Sequence, residues 1–470
     1  MGNDDLLAMA AVEQARLIRT GAISSEELTR IYLDRIAALN DRLQAFVVVF
    51  GDAAIRTARK KDAQRRKTDD LGPFHGVPVG IKDLHFIRGS SARFGSRGVR
   101  PIPMPIDDKT VASMRRAGFV ILGRLATSEV GSMPVTEPDI HPPTRNPWNL
   151  EHTPGGSSGG SGAAVAAEML PIAQASDGAG SIRIPAAFCH LYGFKPSRGR
   201  VPNAFGVPDR DLLYTDGAMA RSVRDAAALT DVLARITVLR PHWAPPPPKP
   251  FEQLITEDPG RLRIRLILRA PLTPTDPEVE RAIVEGARVL ESLGHYVEEG
   301  EAPEGSLEEF LPIYQHMMAA NPFLNPTQAQ PITRWLVEGG RNVDGRDVAA
   351  LKTRIIARTE AHMGGADLIV SPTVGEPAPR VGVFYRPGLS PGDAFTEAAR
   401  LGAFTALFNL TGRPAANVPI GLTSGGLPIG LQIAGRAMED AMVLQVSRQL
   451  EEARPWAQRR APLSGVEKAA

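Results

Sequence analysis

Short apolar runs alternate with amphipathic segments along most of the chain. The runs AFVVVF at 45–50, GVPVGIKD at 76–83 and FVILGRL at 119–125 have the length and β-branched content of buried strands. Residues 22–40 and 110–117 lie around them and place apolar side chains at helical spacing. This alternation predicts an α/β fold with a mixed, largely buried sheet.

The second half of the chain continues the same alternation. DLIVSPT at 367–373 predicts a strand and GLTSGGLPIGLQIAG at 421–435 predicts a tight hairpin. Residues 396–409 predict one helix, and residues 305–365 a mainly helical stretch. PHWAPPPPKP at 241–250 is typical of a stiff polyproline connection.

Neither an internal repeat nor a domain boundary is evident along the chain. We therefore expect a single catalytic domain over residues 1–470, with its core at about 20–240 and 366–450. Residues 241–365 are expected to be a variable region that shapes the substrate pocket.

Charge and cysteine content narrow the classes of partner. The chain has 54 basic and 52 acidic residues and a net charge of +2, which favours neither nucleic acid nor an anionic membrane as a partner. No apolar run reaches about 18 residues, and the start MGNDDLLAMAAVEQ lacks a secretory pattern. Cys189 stands alone, so no internal disulfide can form. We expect a soluble cytoplasmic protein, with monomer or homodimer left open.

Three segments contain candidate chemistry: GIKDL with Lys82, TPGGSSGGSG with Ser157 and Ser158, and SDGAGSIRIPA with Ser181. Each also has an ordinary interpretation, respectively a strand-end lysine, a flexible linker, and a turn into an apolar strand. Glycines packed around serines nevertheless indicate unusual backbone dihedrals near a reacting atom. Small residues before Ser181 would let consecutive N–H groups converge on an oxyanion.

Taken together, these segments resemble the amidase signature family. The segments that match the family's motifs are GPFHGVPVGIKDL, HTPGGSSGGSGAAVAA, SDGAGSIRIPAAFC, GFKPSRGRVP, GAMARSVRDAA, DLIVSPT, and FNLTGRPAANVPIG with GLPIGLQIAG. These motifs follow in family order from about residue 20 to about residue 450. The resemblance implies a central mixed sheet covered by helices on both faces.

The same resemblance implies the roles of the site residues. Ser181 would be the nucleophile, Ser157 the bridging serine after a cis Gly156–Ser157 peptide, and Lys82 the base. The backbone N–H groups of residues 178–181 would form the oxyanion hole, which comprises Gly178, Ala179, Gly180 and Ser181. The residues expected to support the loop are Ser158, Asp177 and Arg183.

A serine hydroxyl is a weak nucleophile until a base removes its proton, and no histidine is placed by a motif to act as that base. A free lysine is almost wholly charged at neutral pH, but burial disfavours the charged form and can lower its pKa by about 3 units. Neutral Lys82 could then accept a proton from Ser157, which takes one from Ser181. The serine bridge suits this relay because a hydroxyl both donates and accepts.

One position departs from the family pattern. Two glycines commonly precede the nucleophile, whereas this chain has Ala179 and Gly180. A positive φ at position 179 would strain an alanine, so we expect a negative φ there.

Alternative functions remain at this stage. Gly155–Gly159 also fits the G-x-S-x-G elbow of α/β-hydrolases, which would require a strand directly before it. The amidase subunit of a tRNA-dependent amidotransferase shares the same signature, and a non-catalytic binding protein on this fold is a third class. The nine histidines show no metal-ligand spacing, and no P-loop is present, so neither a metal nor another cofactor is expected.

The expected substrate is a small-molecule amide or carbamate with an apolar acyl or aryl group. Anilides, linear amides, nylon-type oligomers and carbamates (urethanes) all present the same carbonyl to the nucleophile. The variable region offers six candidate pocket residues, namely Tyr314, His316, Met317, Met318, Phe323 and Trp335.

Overall fold

The computed structural model describes residues 2–202, 213–234, 244–321, 323 and 325–465. Eleven strands in this part of the chain form one sheet. They are β1 Phe46–Val49, β2 Pro78–Lys82, β3 Val120–Leu125, β4 Ile172–Asp177, β5 Tyr192–Lys195, β6 Thr215–Ala220, β7 Arg263–Leu266, β8 Tyr296–Glu299, β9 Leu368–Pro372, β10 Ala415–Leu422 and β11 Pro428–Gly435.

The helices flank this sheet. They are α1 Asn3–Ala8, α2 Ala11–Thr20, α3 Ser25–Leu43, α4 Gly51–Arg65, α5 Lys109–Arg116, α6 Gly159–Ala166, α7 Arg183–Phe188, α8 Val223–Ala234, α9 Phe251–Leu254, α10 Pro277–Ser292, α11 Leu307–Ala319, α12 Pro331–Gly340, α13 Gly345–Met363, α14 Pro391–Ala399, α15 Ala406–Leu410 and α16 Asp440–Ala453.

The sheet is mixed, with the strand order β1-β3-β2-β4-β6-β5-β10-β11-β9-β7-β8. β2 pairs in parallel with both β3 and β4, whereas β4 and β6 are antiparallel. Every residue of β2, β3, β4, β6 and β11 is buried, which explains why β2 and β3 appear in the sequence as largely apolar runs without alternation. The α/β prediction with a mixed, largely buried sheet is confirmed.

Most predicted elements are present within a residue or two of their expected bounds. The runs at 45–50, 76–83 and 119–125 form β1, β2 and β3. The segment at 421–435 closes the antiparallel β10–β11 hairpin, and DLIVSPT contains β9. Of the polyproline stretch 241–250, residues 241–243 lie outside the described part of the chain.

Two predictions of secondary structure are wrong. The apolar strand expected after Ser181 is a helix, α7, which begins at Arg183. Its proline is the third residue of the helix, where no intrahelical N–H bond is required, so it does not break the turn. The single helix expected over 396–409 is also absent: α14 ends at Ala399, a short 3₁₀ turn follows at Arg400–Gly402, and α15 begins at Ala406.

The variable region contributes to the sheet as well as to the helical layer. β7 and β8 extend the sheet beyond β9 in parallel, and α11–α13 form a helical group. The helical expectation for 305–365 is confirmed. None of the helices in the described ranges combines the length and the apolar character that a membrane crossing requires.

Candidate active site

Lys82 ends the interior strand β2 and is completely buried. Its Nζ donates to Ser157 Oγ at 2.7 Å and to Ser176 Oγ at 3.0 Å. Its backbone N–H donates to Gln174 Oε1 at 3.2 Å. The parallel strand β4 supplies Gln174 and Ser176 from one face, since side chains two apart on a strand point the same way. The lysine expected to be buried is therefore buried and in contact with the predicted bridging serine.

Burial lowers the pKa of Lys82 to about 7, because removal from water disfavours the ammonium form. The negative charges of Asp216 and Asp177 act in the opposite direction and raise the pKa, but burial outweighs them. A lysine with this pKa has a substantial neutral fraction at physiological pH. It can accept a proton, which an ordinary surface lysine cannot do.

The glycine- and serine-rich segment before α6 is buried throughout, so the interpretation as a flexible linker is wrong. The Gly156–Ser157 peptide bond is cis, as the family resemblance implies. Irregular backbone rather than a strand precedes Ser157, so the requirement of the α/β-hydrolase elbow is not met. The segment is a buried part of the core and places Ser157 in contact with Lys82.

Ser158 links this segment to the loop that contains Ser181. Its N–H donates to the carbonyl of Ser181 at 3.3 Å. Its hydroxyl donates to the carbonyl of Ser176 at 3.2 Å and lies 3.3 Å from the N–H of the same residue. The three predicted segments therefore meet at one point, between the ends of β2 and β4 and the start of α6.

Ser181 lies in the turn between β4 and α7 and is partly exposed to a cavity. Gly180 has a φ of +132°, and a Cβ at that position would lie 2.3 Å from Thr405 Oγ1, so only glycine fits there. Ala179 is not among the residues with positive φ, which confirms the expectation that alanine is tolerated at that position.

The carboxylate of Asp177 closes the same turn. Its oxygens accept the N–H of Gly180 at 2.6 Å and the N–H of Ile182 at 3.1 Å. The Gly180 N–H is thus engaged within the turn, which departs from the expectation of four oxyanion donors. Gly178, Ala179 and Ser181 remain as the candidates.

Arg183 holds Asp177 through a bidentate ion pair. Its Nε and Nη2 lie 3.0 and 2.9 Å from the two carboxylate oxygens, and both side chains are fully buried. Burial by itself would raise the pKa of Asp177, but the Arg183 charge and its hydrogen bonds lower it to about 2. Asp177 is therefore ionised, and the expected supporting roles of these two residues agree with their contacts.

Residues far along the chain complete the Arg183 contacts. Its remaining N–H groups donate to the carbonyl of Thr405, to Gln432 Oε1 and to Asn409 Oδ1 at 2.6–2.9 Å. Asn409 in turn donates to Asp177. Sequence reasoning missed these partners, and no local pattern marks them, because each is more than 220 positions from the loop.

Ser176 and Gln174 were also missed, although a signal existed. The β4 sequence IAQASD alternates apolar and polar residues, which places Gln174 and Ser176 on one face of a strand that ends at the predicted loop. Polar residues on one face of a buried strand require partners, and Lys82 supplies one for each.

A cavity of about 150 Å³ opens at Ser181 and Ala179. Its walls are mostly apolar and include Ile267, Phe310, Tyr314, Met363, Ile369, Phe395, Phe404 and Leu407. Among the six candidate pocket residues, Tyr314 lies on this wall. Met318 instead belongs to the adjoining core, and Trp335 packs on Phe395 with ring centroids 5.8 Å apart.

Comparison with known proteins agrees with this arrangement. The family model described as Amidase matches residues 27–347 and 327–444. The 6-aminohexanoate-cyclic-dimer hydrolase of Pseudomonas sp. is 36% identical over 483 residues, covering 96% of this chain and 96% of that protein.

Solved structures give the same result. The structure of a 6-aminohexanoate cyclic dimer hydrolase superposes with a TM-score of 0.89 at 34% identity, covering 97% of this chain and 99% of that chain. A bacterial aryl acylamidase of the amidase signature family superposes with a TM-score of 0.88 at 26% identity, covering 98% of this chain and 99% of that one. This chain therefore belongs to the amidase family and is a hydrolase of carbon–nitrogen bonds other than peptide bonds.

Proposed function

We propose that this protein hydrolyses small-molecule amides through an acyl-enzyme on Ser181, with Ser157 passing protons to and from Lys82. The observation that carries this proposal is the buried Lys82 amine, 2.7 Å from Ser157 Oγ. The pKa of about 7 supports the role of Lys82 as base. The role of Ser181 as nucleophile is supported by its position on the cavity wall and by the backbone hydrogen bond that ties its loop to the segment of Ser157 and Ser158.

In the proposed reaction, the Ser181 oxygen attacks the substrate carbonyl while its proton passes to Ser157 and the proton of Ser157 passes to Lys82. The N–H groups of Gly178, Ala179 and Ser181 stabilise the oxyanion. Lys82 returns the proton through Ser157 to the leaving nitrogen as the C–N bond breaks. Water then attacks the acyl-enzyme along the same proton path, and the acid and free Ser181 are released.

The cavity favours an apolar or aromatic acyl group. Phe310, Tyr314 and Phe395 form a stacked row on its wall, with successive ring centroids 5.4 and 5.5 Å apart. Apolar substrate surface buried against such a wall favours binding by about 25 cal/mol per Å², and the wall offers few hydrogen-bond partners to a polar acyl chain. Anilides, nylon-type amide oligomers and carbamates with apolar substituents are therefore the proposed substrates.

The proposal is tested with a panel of anilides, linear amides, esters and carbamates, and with intact-mass detection of an acyl adduct on the isolated chain. We expect turnover of aryl or apolar acyl substrates and one acyl adduct on Ser181. Ser181→Ala should lower turnover by at least about 10³-fold and abolish the adduct. The matched control is Ser292→Ala, at an exposed serine of α10.

Two outcomes would contradict the proposal. Near-normal turnover by Ser181→Ala would exclude Ser181 as the nucleophile. Activity on simple amides that appears only after addition of partner subunits would favour the amidotransferase alternative instead.

A further inference from the structure

A second buried charged cluster lies beside Lys82 and has no part in the proposed proton relay. It comprises His85, Asp108 and Asp216, whose side chains are at most 1% exposed. His85 Nδ1 lies 2.9 Å from Asp108 Oδ2, and its Nε2 lies 3.2 Å from Asp216 Oδ1. One imidazole is thus held between two buried carboxylates.

Both carboxylates accept hydrogen bonds from further donors. Asp216 accepts the hydroxyls of Thr110 and Tyr214, each at 2.7 Å. Asp108 caps α5 by accepting the N–H of Val111 at 2.9 Å and also accepts the N–H of Phe86 at 2.8 Å. These donors fix the position of both carboxylates around the imidazole.

The charges of these two carboxylates explain the state of His85. Burial lowers its pKa, but Asp216 and Asp108 outweigh burial and raise it to about 10. Burial likewise raises the pKa of Asp216, which His85 and the hydroxyl donors then lower. His85 is therefore the cationic partner of the Asp216 carboxylate at neutral pH.

Gln174 connects this cluster to the relay. Its Nε2 donates to Asp216 Oδ1 at 3.0 Å, and its Oε1 accepts the backbone N–H of Lys82 at 3.2 Å. Asp216 is also the larger of the two charges that raise the pKa of Lys82 against burial. A change in the net charge at Asp216 is therefore felt at the proposed base.

We propose that His85 is a positioning residue: its contacts with Asp108 and Asp216 hold the Asp216 charge and the Gln174 amide against Lys82. This inference rests on the proposed role of Lys82 as base. The imidazolium partly cancels the two carboxylate charges. Without it, Lys82 would face a stronger negative field and would keep its proton to higher pH.

Other charged groups face the same region and stay in place in the variants below. Arg124 donates to the carbonyl of His85 at 2.8 Å and pairs with Asp83 at 3.2 Å. On the opposite side, Asp177 acts on Lys82 and is itself paired with Arg183. Since each of these carboxylates has its own arginine, the cluster around His85 is the adjustable part of the field.

The test is the pH dependence of kcat/KM in His85→Asn, which removes the positive charge but keeps a side-chain donor for Asp108. We expect the acidic limb of the profile to move up by about one pH unit. Asp216→Asn removes a negative charge, so the acidic limb of the kcat/KM profile of this variant should move in the opposite direction, to lower pH. This second variant also keeps the proposal testable if His85→Asn does not fold.

The matched control is His190→Asn. His190 is a buried histidine with a φ of +57°, a conformation that asparagine tolerates, and its ring packs edge-on against Trp148 with centroids 5.2 Å apart. The acidic limb of the pH profile of His190→Asn should stay at the wild-type pH.

A folded His85→Asn enzyme whose activity falls while the acidic limb of its profile stays at the wild-type pH would overturn the proposal. Shifts of the same sign in His85→Asn and Asp216→Asn would also overturn it. Failure of the proposed function shows separately, as turnover by Ser181→Ala.

Discussion

At the scale of single residues, the burial that would make Lys82 a base also lowers the stability of the folded protein. Burial lowers its pKa from the ordinary lysine value of 10.5 to about 7, which corresponds to roughly 5 kcal/mol of folding free energy. The unfolded chain binds the proton up to about pH 10, whereas the folded chain loses it above about 7. The loss of folding stability caused by burying the charged amine is therefore fully present below pH 7 and disappears as the pH rises towards 10.

Lys82→Met should abolish turnover and raise stability, because methionine fills a similar volume without a charge to desolvate. The gain should be larger at pH 6 than at pH 10, and chemical denaturation at both values measures it. Lys195 offers a matched control: it is also fully buried, burial lowers its pKa to about 7, and its Nζ donates to the Pro196 carbonyl. Lys195→Met should show a similar pH-dependent gain while turnover persists. Equal stability of Lys82→Met and wild type at both pH values would contradict this account.

Gly180, directly before the proposed nucleophile Ser181, is the second residue with a tightly constrained position. Gly180→Ala would place a methyl group 2.3 Å from Thr405 Oγ1 at a φ of +132°. The turn would have to move, so kcat should fall by about 10²-fold or more, since small displacements of catalytic groups have effects of this size. Ala179→Gly is the paired control and should stay within a few-fold of wild type. A Gly180→Ala enzyme with normal kcat would show that the turn tolerates a different backbone conformation.

At the scale of elements, the β4–α7 connection depends on the buried Asp177–Arg183 pair. The guanidinium contacts β4 through Asp177, α15 through Asn409 and β11 through Gln432, so one side chain joins three elements. The depressed pKa of Asp177, about 2, means that its contribution is present above pH 4 and is lost as the pH falls towards 2.

Arg183→Lys should destabilise the protein by about 2–4 kcal/mol, because a single ammonium cannot reproduce the planar fork and leaves buried acceptors unpaired. Activity should fall with it, as the turn that contains Ser181 loosens. Arg346→Lys changes the same residue type in an exposed pair with Asp344 and should cost almost nothing. Equal unfolding midpoints for the two variants would refute the structural role assigned to Arg183.

The elements also show where sequence reasoning succeeds. β2 and β3 were predictable because a strand buried on both faces is apolar at almost every position. α7 was not, because six residues with a central proline carry no helical period, and its start depends on the Asp177 carboxylate accepting the N–H of Ile182. The break between α14 and α15 likewise depends on a tertiary contact, in which Thr405 donates to the carbonyl of Ala179 at 2.7 Å.

At the scale of the whole molecule, the site combines parts of different origin. The relay candidates lie at the ends of the interior strands β2 and β4 and at the start of α6, where short motifs marked Lys82, Ser157 and Ser181 as candidates from the sequence alone. The cavity wall comes partly from the variable region, through residues such as Phe310 and Tyr314. No motif marks these positions, because an aromatic residue that lines a pocket cannot be distinguished in the sequence from one that packs in the core. For this reason the family and the class of enzyme could be predicted from the sequence, while the pocket residues mostly could not.

This division predicts that acyl preference can be changed without altering the chemistry. Phe310 is partly buried, lines the cavity and stacks on Tyr314. Phe310→Ala removes apolar contact worth roughly 1.5 kcal/mol, so kcat/KM for a bulky aryl-acyl anilide should fall about tenfold. An acetyl anilide, too small to reach that wall, should keep its kcat/KM within about threefold. Phe323→Ala is the matched control, since Phe323 packs near Gly98 rather than on the cavity wall. If both anilides lost the same factor in Phe310→Ala, the aromatic row would support the fold rather than select the acyl group.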